Sequence, residues 1–296
     1  MRYMITYRSA LAFLLVLVFS SSCEQLSELS EADLPEFVDQ LVVNADLDNT
    51  NNVSLEVSTT TWAYEAGTPE VIGDVTLVFT QEGIEIPLTL NSGRFSSPVK
   101  PKSGEVFTVA VFKDNYRTIS ANCRIPEQVL NKTSGYVSGG GTDLQGRVGD
   151  EVFIEFDDPS GEDFYEIKFF YYSELANEFI LFDFEVDDLT LRSPNTLKLN
   201  NGGFLFSDEL FDGSRKRFSA IATAALTSAN SDIKYLVQLK KVSKDYWKYW
   251  RTLQQFRDQQ EGNGSGPFGN AVILHSNVSG GLGVMMSSYV ESDTIR

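Results

Sequence analysis

The sequence predicts a mainly β protein. A β-sandwich is expected over residues 39–126, followed over residues 127–296 by a second β-rich domain with one C-terminal amphipathic helix. Three observations predict this. From residue 39 to 125, short runs rich in β-branched residues alternate apolar with polar side chains, and turn residues separate them. Runs of the same kind resume at residue 151. Apolar residues at helical spacing are concentrated in one stretch, 243–260.

The chain opens with MRYMITYRSALAFLLVLVFSSS, residues 1–22, followed by Cys23. Arg2 and Arg8 make a positive start, and the apolar run 11–19 is too short to span a bilayer but suits a signal peptide. Small residues Ser20, Ser21 and Ser22 precede Cys23, the layout of a bacterial lipoprotein signal whose cysteine is lipidated. Ser20 departs from the aliphatic residue usual there, and the alternative is an ordinary secretory signal. Residues 23–38 are acidic and polar, with Glu24, Glu28, Glu31 and Asp33, and read as a tether. Such acids behind a lipidated cysteine also resemble the signal that sends some lipoproteins to the outer face of the outer membrane, and both readings stand.

From residue 39 the strand runs are QLVVNADL, VSLEVSTTTW, VTLVFT, IEIPLTL, EVFTVAVF and YRTISANCRI. Turn chemistry lies between them at 46–52, 67–69, 81–83, 91–93, 102–104 and 114–115. Six short strands without an intervening helix point to an immunoglobulin-like β-sandwich ending at Pro126. Asp46, Asp48 and Asn49 lack the spaced ligands and the Glu of a calcium loop, and read as an acidic turn. The glycine-rich segment 127–150 carries little periodicity and reads as a crossover between domains.

Strands resume with EVFIEF, and Asp157, Asp158, Pro159 and Gly161 turn the chain into DFYEIKFFYY. EFILFDFEV, NTLKLN and a loop-to-strand segment over 201–226 follow. In the last strand before the helix, Ile233, Tyr235, Val237 and Leu239 alternate toward one core. The helix over 243–260 has Tyr246, Tyr249, Trp250, Leu253 and Phe256 on one stripe. Ser243 stands at the N-cap, Asp245 in the first turn, and Gly262 beyond the end. Arg251, Arg257 and Asp258 fall off the stripe, toward water. Trp247 lies beside it and is the aromatic left over for a partner. After a second glycine-rich break, residues 271–295 return to the strand period.

Composition excludes several function classes. With 24 Lys+Arg against 41 Asp+Glu, the net charge is −17, which argues against nucleic acid and anionic lipid as partners. Two cysteines, Cys23 and Cys123, build no disulfide framework and no multi-cysteine zinc site; Cys123, in a strand-like run, reads as a small buried residue. One histidine, His275, rules out a multi-histidine metal site. No serine sits in a Gly-x-Ser-x-Gly elbow. Gly139, Gly140 and Gly141 lack the Lys and Ser/Thr of a phosphate loop, and Gly264, Gly266 and Gly269 follow a helix instead of a strand, so no cofactor or metal is expected. Asp157, Asp158 and Glu162 offer carboxylates to a hydrolase, but in so acidic a chain such pairs arise readily by chance.

Several runs together carry a resemblance: FDDPSGEDFYEI (156–167), SDELFDG (207–213), VQLKKVSKDYWKYWRTLQQ (237–255), Gly266-Pro267-Phe268, and Ser276-Asn277-Val278-Ser279-Gly280-Gly281-Leu282-Gly283-Val284. With the lipoprotein-like start, they resemble a Bacteroidota outer-membrane lipoprotein family catalogued as domain of unknown function 4249. The family's usual Asn-Pro-Phe turn is Gly-Pro-Phe here. Its members are commonly encoded beside TonB-dependent receptors, which implies a non-enzymatic accessory or cargo-capture role for a protein held on the outer membrane by lipid on Cys23. The family brings no catalytic residues. Candidate docking residues are Trp247, Asn277, Gly280, Gly281 and Gly283. Gly280, Gly281 and Gly283 permit a tight turn or close backbone approach, and Ser276 and Asn277 can hold such a turn, so this stretch also reads as a sheet corner. The alternative function is a free-standing glycan or nutrient-binding module that uses Trp62, Tyr64 or Trp247.

Overall fold

The computed structural model describes residues 37–62, 69–181, 188–223, 234–260 and 272–295. In the first part of the chain the strands are β1 (Leu41–Asp48), β2 (Ser54–Thr59), β3 (Thr76–Gln81), β4 (Ile84–Glu85), β5 (Thr89–Asn91), β6 (Arg94–Ser96), β7 (Val106–Phe112) and β8 (Ile119–Arg124). The order β1-β2-β6-β5 forms one layer and β4-β3-β7-β8 the other. Alternate residues point inward because strand side chains alternate faces. Leu41, Val43, Ala45 and Leu47 of β1 meet Phe107, Val109 and Val111 of β7 and Ile119, Ala121 and Cys123 of β8 in one core. The arrangement is compatible with an immunoglobulin-like sandwich. Cys123 is buried, as its surrounding run predicts, and burial pushes its thiol up to about 12. Of the expected 46–52 turn, Asp46 and Asp48 instead belong to β1, and the turn begins at Asn49, where Asp48 Oδ1 accepts the N–H groups of Thr50 at 2.6 Å and Asn51 at 2.8 Å.

The second part holds β9 (Leu130–Thr142), β10 (Val148–Asp157), β11 (Phe164–Ser173), β12 (Glu178–Leu181), β13 (Leu197–Lys198), β14 (Phe204–Ser207), β15 (Arg215–Thr223), β16 (Tyr235–Val242), the helix α1 (Lys244–Gln260) and β17 (Leu282–Ile295). Here the structure corrects the reading of 127–150 as an aperiodic crossover, since most of it is β9 and the start of β10. The glycines that suggested a loop make room for neighbouring side chains. A Cβ on Gly135 would stand 2.9 Å from the Phe153 ring, and one on Gly141 would stand 2.1 Å from Ile221 Cδ1. Glycine in a strand often marks such a close approach.

β15, β10 and β9 form a three-stranded sheet. It packs on the β11–β16 part of a ten-stranded sheet through Val152, Ile154, Phe156, Tyr165, Ile167, Phe169 and Phe218. Tyr235, Val237 and Leu239 of β16 join that core, matching the expected alternation; Ile233 lies outside the described residues. The even-numbered face of β11 looks the other way, where Phe164, Leu205 and Val242 take Tyr246 of α1.

β17 joins the two parts. Residues 282–288 run parallel to β1, from Val42↔Leu282 to Asp48↔Ser288. Residues 288–295 run antiparallel to β16, from Val242↔Ser288 to Tyr235↔Ile295. The expected boundary at residue 126 is therefore crossed: a strand near the C-terminus completes a layer of the first sandwich, and residues 39–296 form one compact unit. Pairing between strands so distant in sequence leaves no trace in local periodicity.

Candidate functional site beside Trp247

Helix α1 starts where its sequence says. Ser243 Oγ accepts the Tyr246 N–H at 3.3 Å and the Ser287 N–H at 3.2 Å, so the N-cap also ties the helix to β17. Tyr246 is the buried member of the stripe, and its hydroxyl donates to Glu166 Oε2 at 2.7 Å. Glu166 is 1 % exposed and pairs with Lys168 at 2.7 Å and Lys240 at 3.6 Å. Burial alone would raise its carboxyl. The two lysines and the hydrogen bonds outweigh that and hold it below its ordinary value. Burial and the Glu166 charge push the Tyr246 phenol up. The α1 layer therefore rests on a buried, charge-compensated network.

One residue further on, Trp247 is half-buried and packs on the edge of the same layer. Its ring stacks on Phe164 at 4.8 Å between centroids, and the Arg251 guanidinium lies 4.8 Å from its centre. Its Nε1 is buried with no hydrogen-bond partner among the described residues. Two grooves adjoin this Trp247–Arg251 wall. One, of about 470 Å³, is lined further by Glu162, Phe164, Asn195, Glu209 and Asp212. The other, of about 610 Å³, is lined by Lys248, Gln255, Ile273, Leu274 and His275. Arg251, expected to face water, instead packs on Trp247 and lines both grooves. Its i+4 spacing from Trp247 is the sequence signal that could have placed it there.

The first groove ends on a lock between the 156–167 and 207–213 runs. Asp158 accepts the Tyr165 hydroxyl at 2.5 Å and the Gly213 N–H at 2.9 Å. Asp208 accepts the Asp163 N–H at 2.9 Å, and Asp212 accepts the Gly161 N–H at 2.9 Å. Burial raises the Asp158 carboxyl. It also raises Asp208, to about 6, with the nearby charges of Asp158, Asp163 and Asp212 adding to the effect. Oxygens of Asp158, Asp208 and Asp212 lie within 4.8 Å of one another, a spacing open to a hard cation, but each side chain already holds a backbone N–H of the opposite run, from Gly213, Asp163 and Gly161 in turn. Asp157 is held below its ordinary value by Asn131 and Arg215, and Glu162 pairs with Lys244. The carboxylates that suggested a hydrolase thus each have a partner in the fold.

The remaining candidates lie apart from the grooves, in the joint of β1, β8 and β17. Asn277 Nδ2 donates to the Met285 carbonyl at 2.8 Å and to Asp245 Oδ2 at 3.0 Å, while its Oδ1 accepts the Met285 N–H at 2.9 Å. A Cβ on Gly280 would stand 2.5 Å from the Thr118 carbonyl oxygen, and on Gly281 2.5 Å from that of Leu41. Gly283 has φ +111° and would place a Cβ 2.1 Å from the Val43 oxygen. These residues let β17 lie against β1, which is the sheet-corner role. His275, the lone histidine, contacts Asp245 through Nε2 at 2.7 Å, beside Asn277. Trp62 is among the described residues; Cys23, Tyr64, Gly262 and the 264–269 glycines lie outside them. Among the described residues no helix is long and apolar enough to cross a membrane.

Two solved structures resemble the chain weakly. Three N-terminal domains of the outer capsid protein Hoc of bacteriophage RB49 share 15 % identity, over 70 % of this chain and 64 % of that one, with a TM-score of 0.25. A mutant Salmonella alpha-2-macroglobulin shares 11 % identity, over 91 % of this chain and 15 % of that one, with a TM-score of 0.24. The chain spans less than two thirds of either structure. No curated protein matches the sequence. A family model described as "Domain of unknown function (DUF4249)" matches residues 28–294, and the chain belongs to that family.

Proposed function

We propose that this protein is a non-enzymatic lipoprotein of the outer membrane, anchored through lipid on Cys23, and an accessory or cargo-capture partner of a TonB-dependent receptor. The observation that carries the reading is the Trp247–Arg251 wall with a groove on either side, a surface shaped for contact. The neighbouring carboxylates support the same reading. They hold backbone N–H groups, a tyrosine and cations, and so brace the surface around Trp247. The N-terminal signal pattern supports the membrane address, and the resemblance described from the sequence implies the kind of partner. A free-standing glycan-binding module would need an aromatic face for a sugar, and the Trp247 ring is already in contact with Phe164 and Arg251.

The test is affinity purification of the lipidated protein from detergent-solubilised outer membranes, with bound proteins identified by mass. A TonB-dependent barrel in comparable amount is the expected result. Recovery of the lipoprotein alone, under conditions that keep other membrane complexes intact, would overturn the reading.

A further inference from the structure

We propose that the larger groove, between α1 and residues 273–276, is a binding site for a carboxylate carried on an apolar body. The inference stands independently of receptor docking. Its ground is a local reversal of charge. The chain as a whole carries 41 acidic against 24 basic residues, yet the residues lining this groove include Lys248 and Arg251 and no carboxylate. Among the described residues neither Lys248 nor Arg251 is in an ion pair. The nearby Asp245 is taken up by His275 Nε2 at 2.7 Å and Asn277 Nδ2 at 3.0 Å.

The two cations lie on one stretch of α1. Lys248 and Arg251 stand three residues apart on α1, a spacing that places side chains side by side on a helix. Stacking on Trp247 holds the Arg251 guanidinium, whose planar fork suits a carboxylate. Its bond to Asn195 Oδ1, at 3.4 Å, is long. The opposite wall, residues 273–276, presents Ile273, 85 % exposed, and Leu274, 38 % exposed, beside His275 and Ser276. At about 610 Å³, the groove lies in the size range of small-molecule sites. The acids of the smaller groove, Glu209 and Asp212, are not among the residues lining the larger one. A ligand that meets this surface puts its charge on Lys248 and Arg251 and its apolar part on Ile273, Leu274 and the Trp247 edge.

The test is calorimetric titration of the purified protein with decanoate, and with decylamine as a probe of equal length and opposite charge. Decanoate should bind saturably, at least about tenfold more tightly than decylamine, and should weaken as salt is raised. Lys248→Glu combined with Arg251→Gln should abolish that preference. If the double variant does not fold, Lys248→Gln alone decides, with an expected loss of severalfold in decanoate affinity. Equal affinity for the two probes, no saturable decanoate binding, or decanoate binding untouched by the variant that folds would each overturn the proposal.

Discussion

Asn277 and Met285 are joined as if they were strand partners. The Asn277 side chain accepts the Met285 N–H at 2.9 Å and donates to the Met285 carbonyl at 2.8 Å. The same amide also reaches Asp245, in the first turn of α1, at 3.0 Å. One side chain thus fixes the entry to β17 against both the sheet and the helix. Asn277→Ala removes these bonds, and at about 1 kcal/mol for each of the two backbone bonds the expected loss is about 2 kcal/mol in denaturant unfolding. Asn277→Asp should fare no better, since it loses the donor and sets a carboxylate beside Asp245.

Gly283 separates two effects that are often confounded. It has a positive φ and no room for a Cβ, whereas Gly83 has φ +78° and nothing within 4 Å of its Cβ position. Gly83→Ala is expected to cost about 1 kcal/mol of backbone strain. Gly283→Ala must also push β1 from β17 and should lose at least about 3 kcal/mol, or fail to fold. Equal losses in the two variants would mean that the β1–β17 contact is not what Gly283 serves.

The buried network under α1 predicts an order of severity. Tyr246→Phe deletes one bond to Glu166 and should cost about 1–3 kcal/mol. Glu166→Gln leaves Lys168 and Lys240 without their anion and should cost about 3–5 kcal/mol. The folded-state pKa of Glu166 is depressed, so its contribution is present above about 4.5, its ordinary value, and is lost as pH falls through the folded value. Urea unfolding of the wild type and both variants, near neutral pH and below about pH 4, checks the order and the sign.

Asp208 predicts the opposite sign over another window. Its folded-state value is about 6 against an ordinary 3.8. Between the two the folded chain holds a proton that the unfolded chain releases, and stability falls as pH rises. On going from pH 5 to 7.5 the wild type should lose melting temperature by an increment that Asp208→Asn lacks, roughly 2–4 °C for each kcal/mol involved. An identical pH profile in the variant would contradict the assignment.

These relationships were unequally legible in the sequence. The Ser243 cap, the Tyr246 stripe and the alternation of Tyr235, Val237 and Leu239 are local patterns, and the structure follows them. β9 was hidden because its glycines are set by Phe153 and Ile221, residues of other strands. β17 reads as a strand, but its double pairing to β1 and β16 depends on register between distant segments. Trp247 stood out by lying off the stripe. The lock of Asp158, Asp208 and Asp212 did not, because in so acidic a chain nothing local tells a carboxylate that binds backbone from one that faces water.

The central claim, that the surface beside Trp247 docks a TonB-dependent receptor, is tested most directly by site-specific photo-crosslinking in intact outer membranes. A photoreactive residue at Gln255, on the rim of the larger groove, is compared with one at Leu175, which is fully exposed in the turn between β11 and β12. The account predicts an adduct containing the receptor barrel from position 255 and none from position 175. No barrel adduct from 255, or equal adducts from both positions, would contradict it.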